Sequence, residues 1–443
     1  MKKFLLFTTI LLLTNACQDV GDNRPLLTKS KKKQPIFIVN PNRHLNIAEF
    51  WIDQIEKPNE VIMNEKEIKQ LNNNTAYTQR MLTYFKDINR LYGSQWLKEK
   101  LLKNLDGLRS RANYFSDNRK IHRDFYQKIK KEMNLNGLKG KNQKTRYALT
   151  VNYTNQRIIP TEQSLLKKKN QIYFDRNQNS ALDIATPIAI LHSTIDGSWH
   201  YGIGPTSSGW IRDSDIAFGG REEISNYLSS KNFIVSISAK TPILIAGRYH
   251  DYLRMGVRLP YIMSIDDMTM VLIPTRNNEG KLILSNATIK TLHTHKGYLP
   301  YTQKNILTQA FKFLHAPYGW GGMYGEQDCS KFLQEIYATT GLFIPRNSAS
   351  QSKMGNAKVE LNSFAKDKRI QQLNQWAKAG VSILHLKGHI VLYIGNYKGE
   401  PFIIHTVWGS SSRHYALGRT AVTSLNFNGY LGKIDRITNL SLK

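Results

Sequence analysis

The sequence predicts a multidomain α+β protein. It reads as a helical region, two small all-β blocks, and a last domain in which a cysteine-bearing helix packs on an antiparallel sheet. Three observations carry this. At 443 residues the chain is too long for one ordinary core. Its hydrophobic period changes from helical spacing to alternation near Lys144. Near the end, a glycine-rich run enters an Asp-Cys-Ser that opens another helix-like stretch, and further alternating segments follow.

Hydrophobic residues make up 41% of the chain and aromatics 10%, which excludes a disordered polymer. Lysine and arginine number 62 against 33 acids, a net charge of +29. Such a surface seeks polyanions, whether nucleic acid, anionic lipid or an acidic wall polymer. No nucleic-acid-binding motif is visible, so no nucleic-acid partner is expected. The two cysteines, Cys17 and Cys329, cannot form a disulfide framework.

Residues 1–17 read as a signal peptide. Lys2-Lys3 is a basic start, and Phe4 to Leu13 is an apolar run too short to span a bilayer. Thr14-Asn-Ala-Cys17 resembles the lipobox of bacterial lipoproteins, with Thr14 where Leu is usual. The resemblance implies lipidation of Cys17, a membrane anchor and a place in the cell envelope. Simple secretion is the alternative. Residues 18–44, with Lys29-Ser-Lys-Lys-Lys33, read as a tether.

Residues 45–140 read as helical. Ile47, Phe50, Trp51 and Ile55 recur at helical spacing, and Pro58 breaks the run. Asn64 with Glu67 forms a capping-box start. From Thr75 to Leu105, Met81, Leu82, Phe85, Ile88, Leu91, Trp96 and Leu97 form a stripe read as packing.

Residues 141–228 and 229–295 read as the two β blocks. Arg146 to Val151, Pro187 to Leu191, Trp199 to Tyr201 and Gly209 to Ile211 are strands of the first. Asp196-Gly197 is a hairpin turn between two of them. Phe233, Thr241 to Ile245, Met268 to Ile273 and Lys281 to Leu284 mark the second. Gly-Ser-Trp199-His-Tyr and Ser-Gly-Trp210-Ile-Arg resemble the tryptophan pattern of bacterial SH3 domains. Trp199 is expected in the core, while Trp210 is open to either core or ligand. His293-Thr-His295 could hold a metal, but no further ligands of zinc-like spacing lie nearby, and no metal or other cofactor is expected.

Residues 296–443 form the last unit. Gln303 to Leu314 reads as a helix, and a second runs from Cys329 to a stop at Gly341. Val381 to Leu384, His389 to Ile394, Phe402 to Val407 and Gly429 to Ile437 read as strands. Cys329 would sit at a helix N-terminus, where the dipole favours thiolate, with Lys331 adding positive charge. Asp328 would cap the helix and partly oppose that effect. A thiol nucleophile needs a proton acceptor, and His389 opens an apolar strand facing the helix. His405, on the neighbouring strand, would orient it.

Tyr-x-Trp-Gly-Gly, Asp-Cys-Ser, Gly-His-Ile and Ile-Ile-His, in that order, resemble the NlpC family of papain-like cell-wall cysteine peptidases. Pro345-Arg-Asn-Ser-Ala-Ser-Gln351 adds to the likeness. A helical region, two bacterial SH3 domains and this unit together are similar to a subgroup that cleaves γ-D-glutamyl–diamino acid bonds. The resemblance implies a papain-like α+β fold and hydrolysis of peptidoglycan stem peptides or muropeptides. It implies that Cys329 is the nucleophile, His389 the base and His405 the orienting residue. Tyr318, Asp328 and Ser330 would bind substrate, holding the free amine of an N-terminal L-Ala, and the first SH3 domain would wall the cleft. Lys331 stands where Gly often follows, and Gly319 where Leu is common. Two alternatives stay open: a catalytically silent wall-binding lipoprotein, and a Cys-His-His amidase or acyltransferase on another substrate.

Overall fold

The computed structural model describes residues 43–355, 358–409 and 416–442. The signal peptide, Cys17 and nearly all of the tether lie outside the described residues. Among the described residues, no helix is long and apolar enough to cross a membrane.

The N-terminal region alternates helices with short strands that pair elsewhere in the chain. Asn64 caps the helix Glu65–Asn73 in a reciprocal box with Glu67. Longer helices follow at Ser94–Arg109 and Arg123–Glu132. The first of these buries Leu97, Leu101, Leu105 and Leu108, a stripe at helical spacing. Between helices, Val61–Met63 pairs with Tyr301–Thr302, and Leu91–Gly93 pairs with Asn142–Lys144. The helical spacing from Ile47 to Ile55 yields only Ala48–Ile52, and Ile47 is exposed. Trp96, read as packing, is also exposed and stacks on Tyr92.

The alternating segments that follow form a seven-stranded antiparallel sheet between Arg146 and Gly219. Its hairpin Pro187–Ser193 to Trp199–Ile203 turns at Asp196-Gly197. Gly197 has φ +72°, and the Asp196 carboxylate accepts from Thr194 and Ser198. Trp199 and Trp210 are both buried, so Trp210 is core and does not face ligand. They share one cluster with Leu97, Leu101 and Ile129 of the preceding helices. After the helix Arg221–Leu228, a second seven-stranded antiparallel sheet runs from Phe233 to Lys296.

The last unit is α+β. Its six-stranded antiparallel sheet has the spatial order Lys358–Glu360, Ile434–Asn439, Ser382–Leu386, His389–Tyr397, Glu400–Gly409, Ala416–Ser424. Helices Gln303–Phe311 and Cys329–Ala338 cover one face, where Phe332, Ile336, Ile390, Leu392 and Ile404 meet. Helix Lys366–Trp376 belongs to the other face, where Leu373 joins Val391, Tyr393 and Ile403. Consecutive strand residues therefore serve opposite cores. Each such side chain contributes roughly 1.5–3 kcal/mol. The strand expected from Gly429 begins at Ile434, because residues 427–432 form a 3₁₀ turn with Asn428 and Gly429 at positive φ.

Trp51 of the N-terminal region packs over Phe402 and against Gly395, in the core of the last unit. The region read as helical, residues 45–140, is thus shared between two cores. Its start joins the last unit's core, and its later helices join the first sheet.

Candidate active site

Cys329 opens its helix, and the Asp328 side chain caps it by accepting from the Lys331 amide at 2.9 Å. The same carboxylate accepts from Gly321 N at 3.0 Å and from the Ser330 hydroxyl at 3.0 Å. Arg346 grips it bidentately, at 3.0 and 2.7 Å, and also donates to Ser330 at 2.8 Å. Asp328 and Ser330, expected to hold a substrate amine, are therefore engaged within the chain. Burial opposes ionisation of Asp328, but Arg346 and its other donors hold its pKa below the usual value.

The thiol does not follow the dipole expectation. Burial first, and the Asp328 charge second, push its pKa up to about 12. The amides of Ile390 and Ser330, together with Arg346, oppose this without prevailing. Lys331 does not point its charge at the thiol; its ammonium is taken by Asp183 and Glu335, at 3.0 and 3.1 Å.

His389 follows a two-residue turn, Lys387-Gly388, in which Gly388 has φ +80°. Its Nε2 lies 2.8 Å from His405 Nδ1, and His405 Nε2 lies 3.1 Å from the Thr423 hydroxyl. Two sets of protons satisfy this chain, and in the one suited to base catalysis His389 Nε2–H donates to His405 and His405 Nε2–H donates to Thr423. Nδ1 of His389 is then left as the basic lone pair. Burial draws His389 down to about 4 against the pull of Asp328, and burial also lowers His405. The Ile390 amide beside His389 acts on the Cys329 thiol, which puts this strand end against the helix start. Thr423 escaped the sequence reading, since one hydroxyl residue in an alternating strand carries no signal.

Cys329 lines a cleft of about 550 Å³, and Gly388, the residue before His389, lines it too. Tyr318, Asp328, Cys329 and Ser330 share it with Asn104 and Arg111 of the N-terminal region and with Gln178 of the first sheet. Among the described residues, no cluster of His, Cys, Asp or Glu could hold a metal. His293 is bonded to Ser238, and His295 to the Gly297 carbonyl, so the two alternating histidines have separate partners.

With the site described, comparison with known proteins is direct. A model of the NlpC/P60 family matches residues 315–416 and spans both Cys329 and the two histidines. The chain carries an NlpC/P60 domain. A model of the SH3 domain of SH3b1 type matches residues 164–212, within the first seven-stranded sheet. A gamma-D-glutamyl-L-lysine dipeptidyl-peptidase of Bacillus cereus (strain ATCC 10987 / NRS 248) is 25% identical over 197 residues, 42% of this chain and 54% of that protein. The protein of the same name from Bacillus subtilis (strain 168) is 34% identical over 99 residues, 22% of this chain and 31% of that one. The chain thus spans about half or less of these curated relatives. The solved structure of an NlpC/P60 endopeptidase from Photobacterium damselae subsp. piscicida shares the fold, with a TM-score of 0.74 at 20% identity. That likeness covers 89% of this chain and 97% of the other.

The glycine run of the NlpC/P60 domain meets the SH3 domain directly. Gly321 and Gly322 have positive φ, and a Cβ on either would strike Gln178 or Ala181 at 2.7–2.8 Å. Gln178 donates to the Gly321 carbonyl at 3.2 Å, and Tyr153 donates to the Gly322 carbonyl at 2.6 Å. Gly319 cannot be Leu here, because its Cβ would run into the Met323 carbonyl. Arg346 also reaches across, donating to Ser180 at 2.9 Å. Lys331, where the family often has Gly, pins the helix to Asp183 of the SH3 domain.

Proposed function

We propose that the protein is a cysteine peptidase of peptidoglycan stem peptides, cutting the γ-D-glutamyl–diamino acid bond. The observation that carries this is the His389–His405 hydrogen bond at 2.8 Å beside a cysteine at a helix start. The printed activity of the two Bacillus relatives supports the choice of bond.

In this reading His389 Nδ1 takes the Cys329 proton as sulfur attacks the γ-carbonyl carbon. The Cys329 backbone amide, at the helix start, stabilises the developing oxyanion. His389 returns the proton to the departing amine, leaving a thioester that water hydrolyses. His405 and Thr423 hold the tautomer that makes this possible. Tyr318 lines the cleft and would contact the peptide.

The test is mass spectrometry of muropeptides digested with native and Cys329→Ala protein. The native protein should release L-Ala-γ-D-Glu and the variant should not. Continued cleavage by the variant would remove Cys329 as nucleophile. Requirement for a free N-terminal amine is tested with the N-acetylated peptide, which should be cut far more slowly.

The second reading is a silent wall-binding protein, and the direction in which burial and Asp328 push the thiol, upward, is what points toward it. Failure of the native protein to cleave any muropeptide would select it. We also propose that the second sheet is a second SH3-like module. We further propose that Cys17 is lipidated and anchors the protein in the cell envelope. Incorporation of an alkyne fatty acid should be lost in Cys17→Ser.

A further inference from the structure

Asp328 is the one acidic residue lining the cleft among the described residues, and Arg346 neutralises it. Arg111, just past the helix Ser94–Arg109, also lines the cleft and is exposed. Arg176, in the SH3 domain, lies over the Trp320 ring at 5.2 Å, and Trp320 lines the cleft too. The Nε of Arg176 is buried without a hydrogen-bond partner. Arg111 repels Arg176, and among the described residues no acid pairs with either. Arg111 on the cleft wall and Arg176, stacked on the wall residue Trp320, are thus two neighbouring like charges with no acid paired to either among the described residues.

We propose that Arg111 and Arg176 form a carboxylate-binding site on the cleft wall, taking a free carboxylate of the substrate beside the cleaved bond. This rests on the stem-peptide reading above. A glutamate joined through its γ-carbon keeps its α-carboxylate free, a short distance along the same residue from the attacked carbonyl. Guanidinium forks match a carboxylate bidentately, and Trp320 fixes one of them in place. Burial lowers the pKa of Arg176, and Arg111 adds to that effect. An incoming anion relieves the repulsion, so the site is charged for a ligand it does not yet hold. The SH3 domain and the N-terminal region would each supply one arginine, which gives both a direct role in substrate choice.

The test uses the full chain carrying Cys329→Ala, so that peptide is bound and not cut. Calorimetry compares L-Ala-γ-D-Glu-L-Lys with the same peptide bearing an α-carboxamide on the glutamate. The free acid should bind on the order of tenfold more tightly. Arg111→Gln should remove most of that preference, and Arg111→Gln with Arg176→Gln should remove all of it. Because the Arg111 side chain is exposed, the single variant should keep the fold. In the Cys329 protein the same changes should raise KM for the acid and leave kcat little changed. Equal binding of acid and amide, no binding of either, or a preference that survives both substitutions would overturn the proposal. If the native protein cuts neither peptide while the arginine-dependent preference holds, the hydrolase reading fails and the carboxylate site stands.

Discussion

At Cys329 and His389 the electrostatics set a specific pH behaviour. A thiol pushed up to about 12 and an imidazole drawn down to about 4 are both neutral near pH 7. Both shifts favour thiol and imidazole over thiolate and imidazolium at rest. Alkylation of Cys329 by iodoacetamide should therefore be slow at pH 7 and climb steadily into the alkaline range. A plateau between pH 4 and 8 would mean a preformed ion pair. Hydrolysis needs neutral His389, so kcat/KM should fall only as pH drops toward about 4. His405→Gln should lower kcat by roughly 10²–10⁴ by unsettling the tautomer. Thr423→Val removes one neutral hydrogen bond of about 1 kcal/mol and should cost several-fold. The sequence made the cysteine and both histidines legible, since residue type, order and flanking apolar runs all signal them. It could not show that burial and Asp328 would push the thiol up, because burial is set by chain from distant positions.

At the scale of the Cys329 helix, Lys331 shows how an element's charge can be spent across a domain boundary. The side chain is 6% exposed and sits between Asp183 and Glu335. Burial pushes the Glu335 carboxyl up, and Lys331 opposes that. Lys331→Met would strand both acids and should cost about 3–5 kcal/mol, read as a lowered Tm. An unchanged Tm would mean the cluster is neutral overall. The start and cap of this helix were readable locally, from Asp328, the apolar spacing and Gly341. The partner of Lys331 was not, because Asp183 lies 148 positions earlier in the chain. Gly319 is similar: it marks a turn in sequence, but only the fold supplies the Met323 carbonyl that forbids a side chain.

For the whole molecule, the N-terminal region acts as cover for two other units. Trp51 is 1% exposed against Phe402 of the NlpC/P60 sheet. Trp51→Ala should cost about 3–5 kcal/mol and destabilise the NlpC/P60 domain, although the residue lies far from it in sequence. Residues 296–443 expressed alone should aggregate for the same reason, which light scattering would detect. Periodicity exposed the order of α, β and mixed segments well, since it is a local property. It misjudged the first helices, because Ile47 and Trp96 fit a helical stripe yet face solvent, and nothing local distinguishes them from Trp51.

Gly321 and Gly322 have a consequence for how such a chain can change over time. Each is matched to a particular neighbour in the SH3 domain, Gln178 and Ala181. A larger residue on one side needs a smaller one on the other. Recombination that swaps this SH3 domain for a homologous one would import a mismatched surface against the backbone that leads into Cys329. The two modules should therefore be inherited and exchanged together, as one unit.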